Sequence, residues 1–279
     1  MYKRQEDDQH DFAQLGWPAD VFKGLRDKLG AVVVQLNHPR SGQGVLNWVG
    51  YDAKKGVAAV DPKRFDMTWD AIEVCNAGCN SDLTSDDTKA LRDFFSFVNQ
   101  GYRKVAVGVS DAHGSGSWLG RARTMVEVLS DDPLRFSSDD LFGSLKAGRA
   151  IVLDGAFATA TLLGDGGKAA LSGELARVSG ATITVHVTVQ APPWIPVDSV
   201  RVLENGVDVQ SVQVPASTMV RRFDADITFP APKSDASYVV IVEAQGDMGP
   251  VLPGAHPRTI VNPIYVDRDG NGKFDAPGL

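Results

Sequence analysis

Cysteine is nearly absent: Cys75 and Cys79 are the only two in 279 residues. Two thiols make no disulfide framework, and one pair cannot complete a structural zinc site without other ligands. The expectation is two reduced thiols, with Cys75 packed in the core. Long apolar runs are also missing; none approaches the roughly 20 residues that span a bilayer. Residues 1–11 are polar and charged and do not read as a secretory signal. A soluble chain is expected, exported only if a segment precedes Met1. No dense Lys/Arg tract occurs, and the net charge is −7 with a pI near 5.2. That balance argues against a nucleic-acid backbone as partner.

What is present is an ordinary globular composition, 43% hydrophobic and 23% charged, enough for one large or two average domains. In the first part, apolar strands alternate with helical patterns. A helix begins at Pro18 and closes at Gly30. Thr84 and Ser85 offer caps for a second, whose apolar face is Ala90, Leu91, Phe94, Phe95 and Val98. Ser137 and Asp140 box the start of a third, ended by Gly148. Strands are expected at 31–36, 71–75, 105–109, 124–129 and 150–153. Residues 41–70 are irregular, with Trp48, Tyr51 and Trp69, and read as a functional loop or lid. Beyond residue 156 the period becomes two. Ile183, Val185, Val187 and Val189 alternate with Thr and His, Asn205-Gly206 marks a hairpin, and 238–243 alternate again. The predicted fold is α/β: a partial (β/α) barrel over residues 1–160, then a small antiparallel, Ig-like β-sandwich over 161–279.

Two of the buried strands stop abruptly at metal-ligand chemistry. The run 31–36 ends in Asn37-His38-Pro39-Arg40, and the run 105–109 in Ser110-Asp111-Ala112-His113. Parallel α/β sheets carry their chemistry at the C-terminal ends of strands. Asp111 and His113, two apart, point to one side of extended backbone. With His38 they supply two imidazoles and one carboxylate, a set suited to Zn, Mn or Fe. Arg40, Arg121 and Arg123 lie just past strand ends, where a guanidinium can stabilise a phosphate or a developing oxyanion; Arg40 and Arg123 are the catalytic candidates. Glu73 reads either as an orienting group for a ligand or as the partner of a Lys or Arg. A second cation site is suggested by Asp267-x-Asp269-Gly270-Asn271, which follows the opening of a calcium loop but has Gly278 where the bidentate Glu belongs. His186 falls on a polar strand face. His256-Pro257-Arg258 repeats the tripeptide at His38 without a buried strand before it.

The pieces 34–40, 70–76 and 109–113, with Gly148-Arg149-Ala150-Ile151-Val152 and the tail 261–267, resemble the PHP superfamily of metal-dependent hydrolases. The order is most similar to the carbaryl-hydrolase-like branch, in which a PHP domain precedes a β-sandwich. The resemblance covers most of residues 15–279. It implies a distorted barrel of seven strands with metals at its C-terminal rim, His38, Asp111 and His113 among their ligands. It also implies hydrolysis of phosphoesters or of carboxyl or carbamate esters, so that small esters are the expected partners. The family's opening His-x-His has no counterpart before His38; the earlier His10 lies in a polar lead-in. Two other classes compete. One is a truncated or degenerate, non-catalytic chain whose sandwich binds a partner or glycan. The other is a mononuclear iron oxygenase with the same two-His, one-carboxylate set.

Overall fold

The computed structural model describes residues 16–30, 32–79, 82 and 85–279. In chain order the elements are α1 (Pro18–Leu29), β1 (Gln35–Leu36), α2 (Val45–Trp48), β2 (Ala71–Asn76), α3 (Asp86–Asn99), β3 (Val105–Val109) and β4 (Arg123–Val126). There follow α4 (Ser138–Lys146), β5 (Ala150–Asp154), β6 (Phe157–Leu163), β7 (Ala169–Ala170), β8 (Leu175–Arg177) and β9 (Thr182–Gln190). The last are β10 (Ser199–Glu204), β11 (Val207–Gln213), β12 (Arg221–Pro230), β13 (Ala236–Glu243) and β14 (Arg258–Asp267). Pro18 opens α1 and left-handed Gly30 closes it. Ser85 caps α3 by accepting from the Thr88 amide; Thr84, the other expected cap, and His10 lie outside the described residues.

The expected α/β fold with a partial barrel is corrected here. The chain is mostly β, 34% strand against 17% helix, and among the described residues no barrel closes. Among the described residues, parallel pairing is confined to the three-stranded sheet β1-β2-β3 and to a short contact of β8 with β14. β4 and β5, read as barrel strands, pair antiparallel with each other, and β5 pairs antiparallel with β14. They belong to a seven-stranded sheet in the order β11-β10-β13-β14-β5-β4, with β8 off that path. The misreading has a physical cause. A strand buried on both faces is an unbroken apolar run, and such a run does not reveal the direction of its neighbours. Ala150–Asp154 is buried at every position, as are nine of the ten residues of β14.

Both faces of the seven-stranded sheet are covered. On one lies the four-stranded sheet β12-β9-β6-β7, and Ile183, Val185, Val187 and Val189 of β9 interleave with Val200, Val202, Val240 and Val242. On the other lie α3 and the parallel sheet, where Phe94, Phe97, Ile72 and Ala106 pack with Val152, Val239, Ile241 and Ile260. Strands from either side of residue 160 therefore share one sheet, and that position falls inside β6. The outer edge of β3 is closed by side chains instead of a fourth parallel strand. Asn262, 1% exposed, accepts from the Ala106 amide at 2.8 Å and donates to the Ala106 and Ala150 carbonyls at 2.9 Å. Thr124 Oγ1 donates to the Gly108 carbonyl and accepts from its amide.

Two smaller expectations also change. Residues 41–70 form no lid: Leu46, Val49, Tyr51, Phe65 and Trp69 are buried, and the Tyr51 ring stacks on Phe97 with its hydroxyl 2.8 Å from Ser96 Oγ. Their aromatics anchor the segment to α3, burying apolar area that a lid would leave in water. Cys75 and Cys79, expected as free thiols, are joined in a disulfide across the turn that follows β2.

Candidate active site

Three adjacent parallel strands end at one rim, and each ends in strained backbone. His38, past β1, has φ 48°; Ala77, after β2, has φ 51°; Asp111, past β3, has φ 45°. Left-handed backbone costs a non-glycine residue about 1–3 kcal/mol, and such strain gathers at functional sites. The turns bring together the residues expected to act. His38 Nε2 lies 3.4 Å from Asp111 Oδ1, and His113 Nδ1 lies 3.5 Å from the same oxygen. Asp111 is thus the hub between two imidazoles. The set is joined pairwise and is not drawn into one tight cluster: its ligand atoms do not all fall within 4.8 Å of one another.

Behind the hub stands Glu73, 3% exposed, on the middle strand. Its Oε1 is 3.3 Å from His38 Nδ1 and accepts from Asn76 Nδ2 at 3.0 Å. Asn76 Nδ2 is also 3.1 Å from His38 Nδ1. Glu73 Oε2 is buried with no hydrogen-bond partner. Burial pushes the Glu73 carboxyl above the ordinary carboxylate range, against the pull of His38 and the Asn76 amide. Of the two sequence readings of Glu73, the orienting one describes what it touches; among the described residues neither Lys nor Arg pairs with it. The backbone carbonyl of Asp111 lies 2.6 Å from His113 Nδ1. A proton on that Nδ1 leaves Nε2 as the lone-pair nitrogen. A cleft of about 220 Å³ opens beside His38, Glu73 and Asn76 at the start of α3, where Asp86 and Asp87 add negative charge. The disulfide closes a short ring around Asn76, Ala77 and Gly78, fixing the turn that carries Asn76.

Of the catalytic candidates Arg40 and Arg123, Arg40 lines the cleft beside His38, but its guanidinium is already paired. Arg40 forms a two-pronged pair with buried Asp93, both contacts 2.6 Å, and donates to the Tyr51 carbonyl. Its guanidinium is committed to holding the 41–51 segment on α3. Arg123 lies on β4 and donates to the Gly120 carbonyl at 2.7 Å. His186 pairs with Asp226 and Asp224 on the outer face of the four-stranded sheet. His256 is exposed, as its unburied context suggested.

The expected calcium loop sits at the end of β14. Asp235, Asp267 and Asp269 could hold a metal ion, their ligand oxygens all lying within 4.8 Å of one another. Asp235, from the turn before β13, was not legible in the local motif. Asn271, expected as a ligand, instead donates to Asp269 Oδ2 and Asp275 Oδ2. Burial pushes the Asp267 carboxyl up, but the Gly272 and Gly270 amides outweigh it and hold the group below its ordinary range. Among the described residues no helix is long and apolar enough to cross a membrane. Comparison with protein families, curated proteins and solved structures found no match.

Proposed function

We propose that the chain is a metal-dependent hydrolase whose reactive water is activated at the rim formed by His38, Asp111 and His113. The observation that carries this reading is the convergence of two imidazoles and a carboxylate from two strained strand ends, past β1 and β3. The donor set fits a divalent transition metal, Zn, Mn or Fe. Buried Glu73 Oε2, without a partner, adds negative charge that a cation nearby would offset. A cation held by His38, Asp111 and His113 lowers the pKa of water toward ~7. The chain's own groups do the rest. Glu73 Oε1, 3.3 Å from His38 Nδ1, and the Asn76 amide, 3.1 Å from the same nitrogen, hold that edge of the ring inward so that Nε2 faces Asp111. The Asp111 carbonyl, 2.6 Å from His113 Nδ1, holds a proton on that nitrogen and leaves Nε2 to bind a cation. The carboxylates of the cleft, Glu73, Asp86 and Asp87, favour a bound cation there. Substrates in this reading are small phosphoesters or carboxyl or carbamate esters, the chemistry implied by the likeness to the PHP superfamily. A weaker calcium site at Asp235, Asp267 and Asp269 accompanies it.

A second reading, a non-catalytic binding chain, is favoured by one observation: the three ligands are not drawn into a mutual cluster. Metal analysis separates the two. After supplementation with Zn or Mn, the wild-type chain is expected to retain about one more metal per chain than His113→Ala, and to hydrolyse 4-nitrophenyl phosphate or acetate. His113→Ala is expected to lose about 100-fold or more of that activity. Equal metal content in both proteins, with no hydrolysis by either, would leave the binding reading standing.

A further inference from the structure

Arg121 borders the rim without joining it. Gly78, at the turn after β2, has φ 135°, and a Cβ there would come within 2.5 Å of Arg121 Nη2. The guanidinium therefore lies against the bare backbone of the turn that begins with Asn76 and Ala77. Ala122, fully buried at φ 47°, sets the neighbouring backbone in a left-handed conformation. Arg121 Nε is buried with no hydrogen-bond partner, and the facing carboxylate, Asp154 Oδ1, stands 3.7 Å away, beyond hydrogen-bond range. Asp154 is itself 2% exposed, and its other oxygen accepts from the Cys79 amide at 2.9 Å. The arginine is anchored by charge, with a buried donor left unspent.

In front of it opens a cleft of about 160 Å³ whose walls include Trp118, Ile195, Met248 and Leu252. A cavity of about 150 Å³ is enough to hold a benzene ring. Two arginines, Arg121 and Arg123, and one carboxylate, Asp154, line the cleft, a net single positive charge among them. One planar negative charge on a small apolar body matches that surplus; a phosphate dianion exceeds it. We infer that this cleft binds a small monocarboxylate, aromatic or aliphatic, with its carboxylate on Arg121 and its body on Trp118 and Met248. Because Arg121 rests on the turn shared with Asn76, the cleft is the subsite for a carboxylate-bearing end of the ester split at the neighbouring rim. That last step alone rests on the hydrolase reading.

Benzoate and benzamide, equal in shape and different in charge, provide the test. By titration calorimetry on the full chain without added metal, benzoate is expected to bind at least tenfold tighter than benzamide, and Arg121→Met to remove that preference. Trp118→Phe is expected to abolish the fluorescence change on benzoate binding while calorimetric binding persists, which locates the ligand even if Arg121→Met does not fold. Equal affinity for the two probes, or no benzoate binding at about 10 mM, overturns the inference. With metal-loaded protein, 4-nitrophenyl hydrogen succinate is expected to show a higher kcat/KM than 4-nitrophenyl acetate, a preference absent from Arg121→Met. Equal values in the wild type overturn the link between cleft and rim. Hydrolysis of neither ester counts against the hydrolase reading, and the titrations then decide the cleft by themselves.

Discussion

Glu73 concentrates the tension between stability and function in a single side chain. Its carboxyl is buried, with one oxygen held by Asn76 and facing His38, the other without a partner. Desolvation raises its pKa above the unfolded value. The folded state then binds more protons than the unfolded one between those two values, so stability falls as pH rises through that window. Above it the native chain carries an ionised, poorly solvated carboxylate. Glu73→Gln removes that charge and keeps the shape. Without metal, the variant is expected to melt at a higher temperature than wild type at pH 7–8. The advantage should vanish below the ordinary carboxylate range, where both side chains are neutral. In the same variant the His38 ring faces a neutral amide in place of the carboxylate that orients it, and metal affinity should fall about 10–100-fold. Thermal melts across pH, paired with metal titration, check both halves. A variant less stable than wild type at pH 8 would contradict the reading. Sequence reasoning located this residue on its strand but could not choose its partner. The partners His38 and Asn76 are fixed by the register of three strands, and only Asn76 is near Glu73 in the chain.

Among the elements, the parallel sheet shows best what was legible and what was not. The strand ends at His38 and Asp111 stand out because an apolar run stops at polar, ligand-type residues. The hairpin at Asn205-Gly206 is equally plain, and β10 and β11 pair around it. The alternation of β9 marks its buried face directly. The edge of the parallel sheet carried no comparable signal. An unpaired edge on buried strands is costly, and a barrel would remove it by adding strands. This chain closes the edge with Asn262, a residue far away in sequence whose contacts no local pattern encodes. Asn262→Leu would strand the Ala106 amide and deprive the Ala106 and Ala150 carbonyls of their side-chain donor, all in a dry interior. At about 1–3 kcal/mol for each of the three buried groups left unsatisfied, the loss is expected to reach roughly 3–9 kcal/mol. Urea unfolding measures it; a change below about 1 kcal/mol would mean that water or backbone replaces the amide.

For the whole molecule, the question is whether the chain divides near residue 160. Composition and hydrophobic period both change there, and two units are the natural reading of the sequence. Pairing runs against an independent second unit. β14 is held by β13 on one side, while its other side is shared between β5 for residues 258–261 and β8 for 265–267. A fragment of residues 161–279 loses β4 and β5 and most of β6, exposing the β14 edge and the flank of β9. It also forfeits Ile151, Val152 and Leu153, buried between the layers. At about 1.5–3 kcal/mol each, those three side chains alone approach the 5–15 kcal/mol by which a domain is stable. The fragment is therefore expected to aggregate or to melt without a cooperative transition, whereas the full chain melts cooperatively. Circular dichroism with gel filtration distinguishes the cases. A monomeric fragment with a sharp thermal transition would show that the four-stranded sheet and the rest of the larger sheet suffice without β5. In that event, the strands before residue 160 would be supported by the sandwich without supporting it in return.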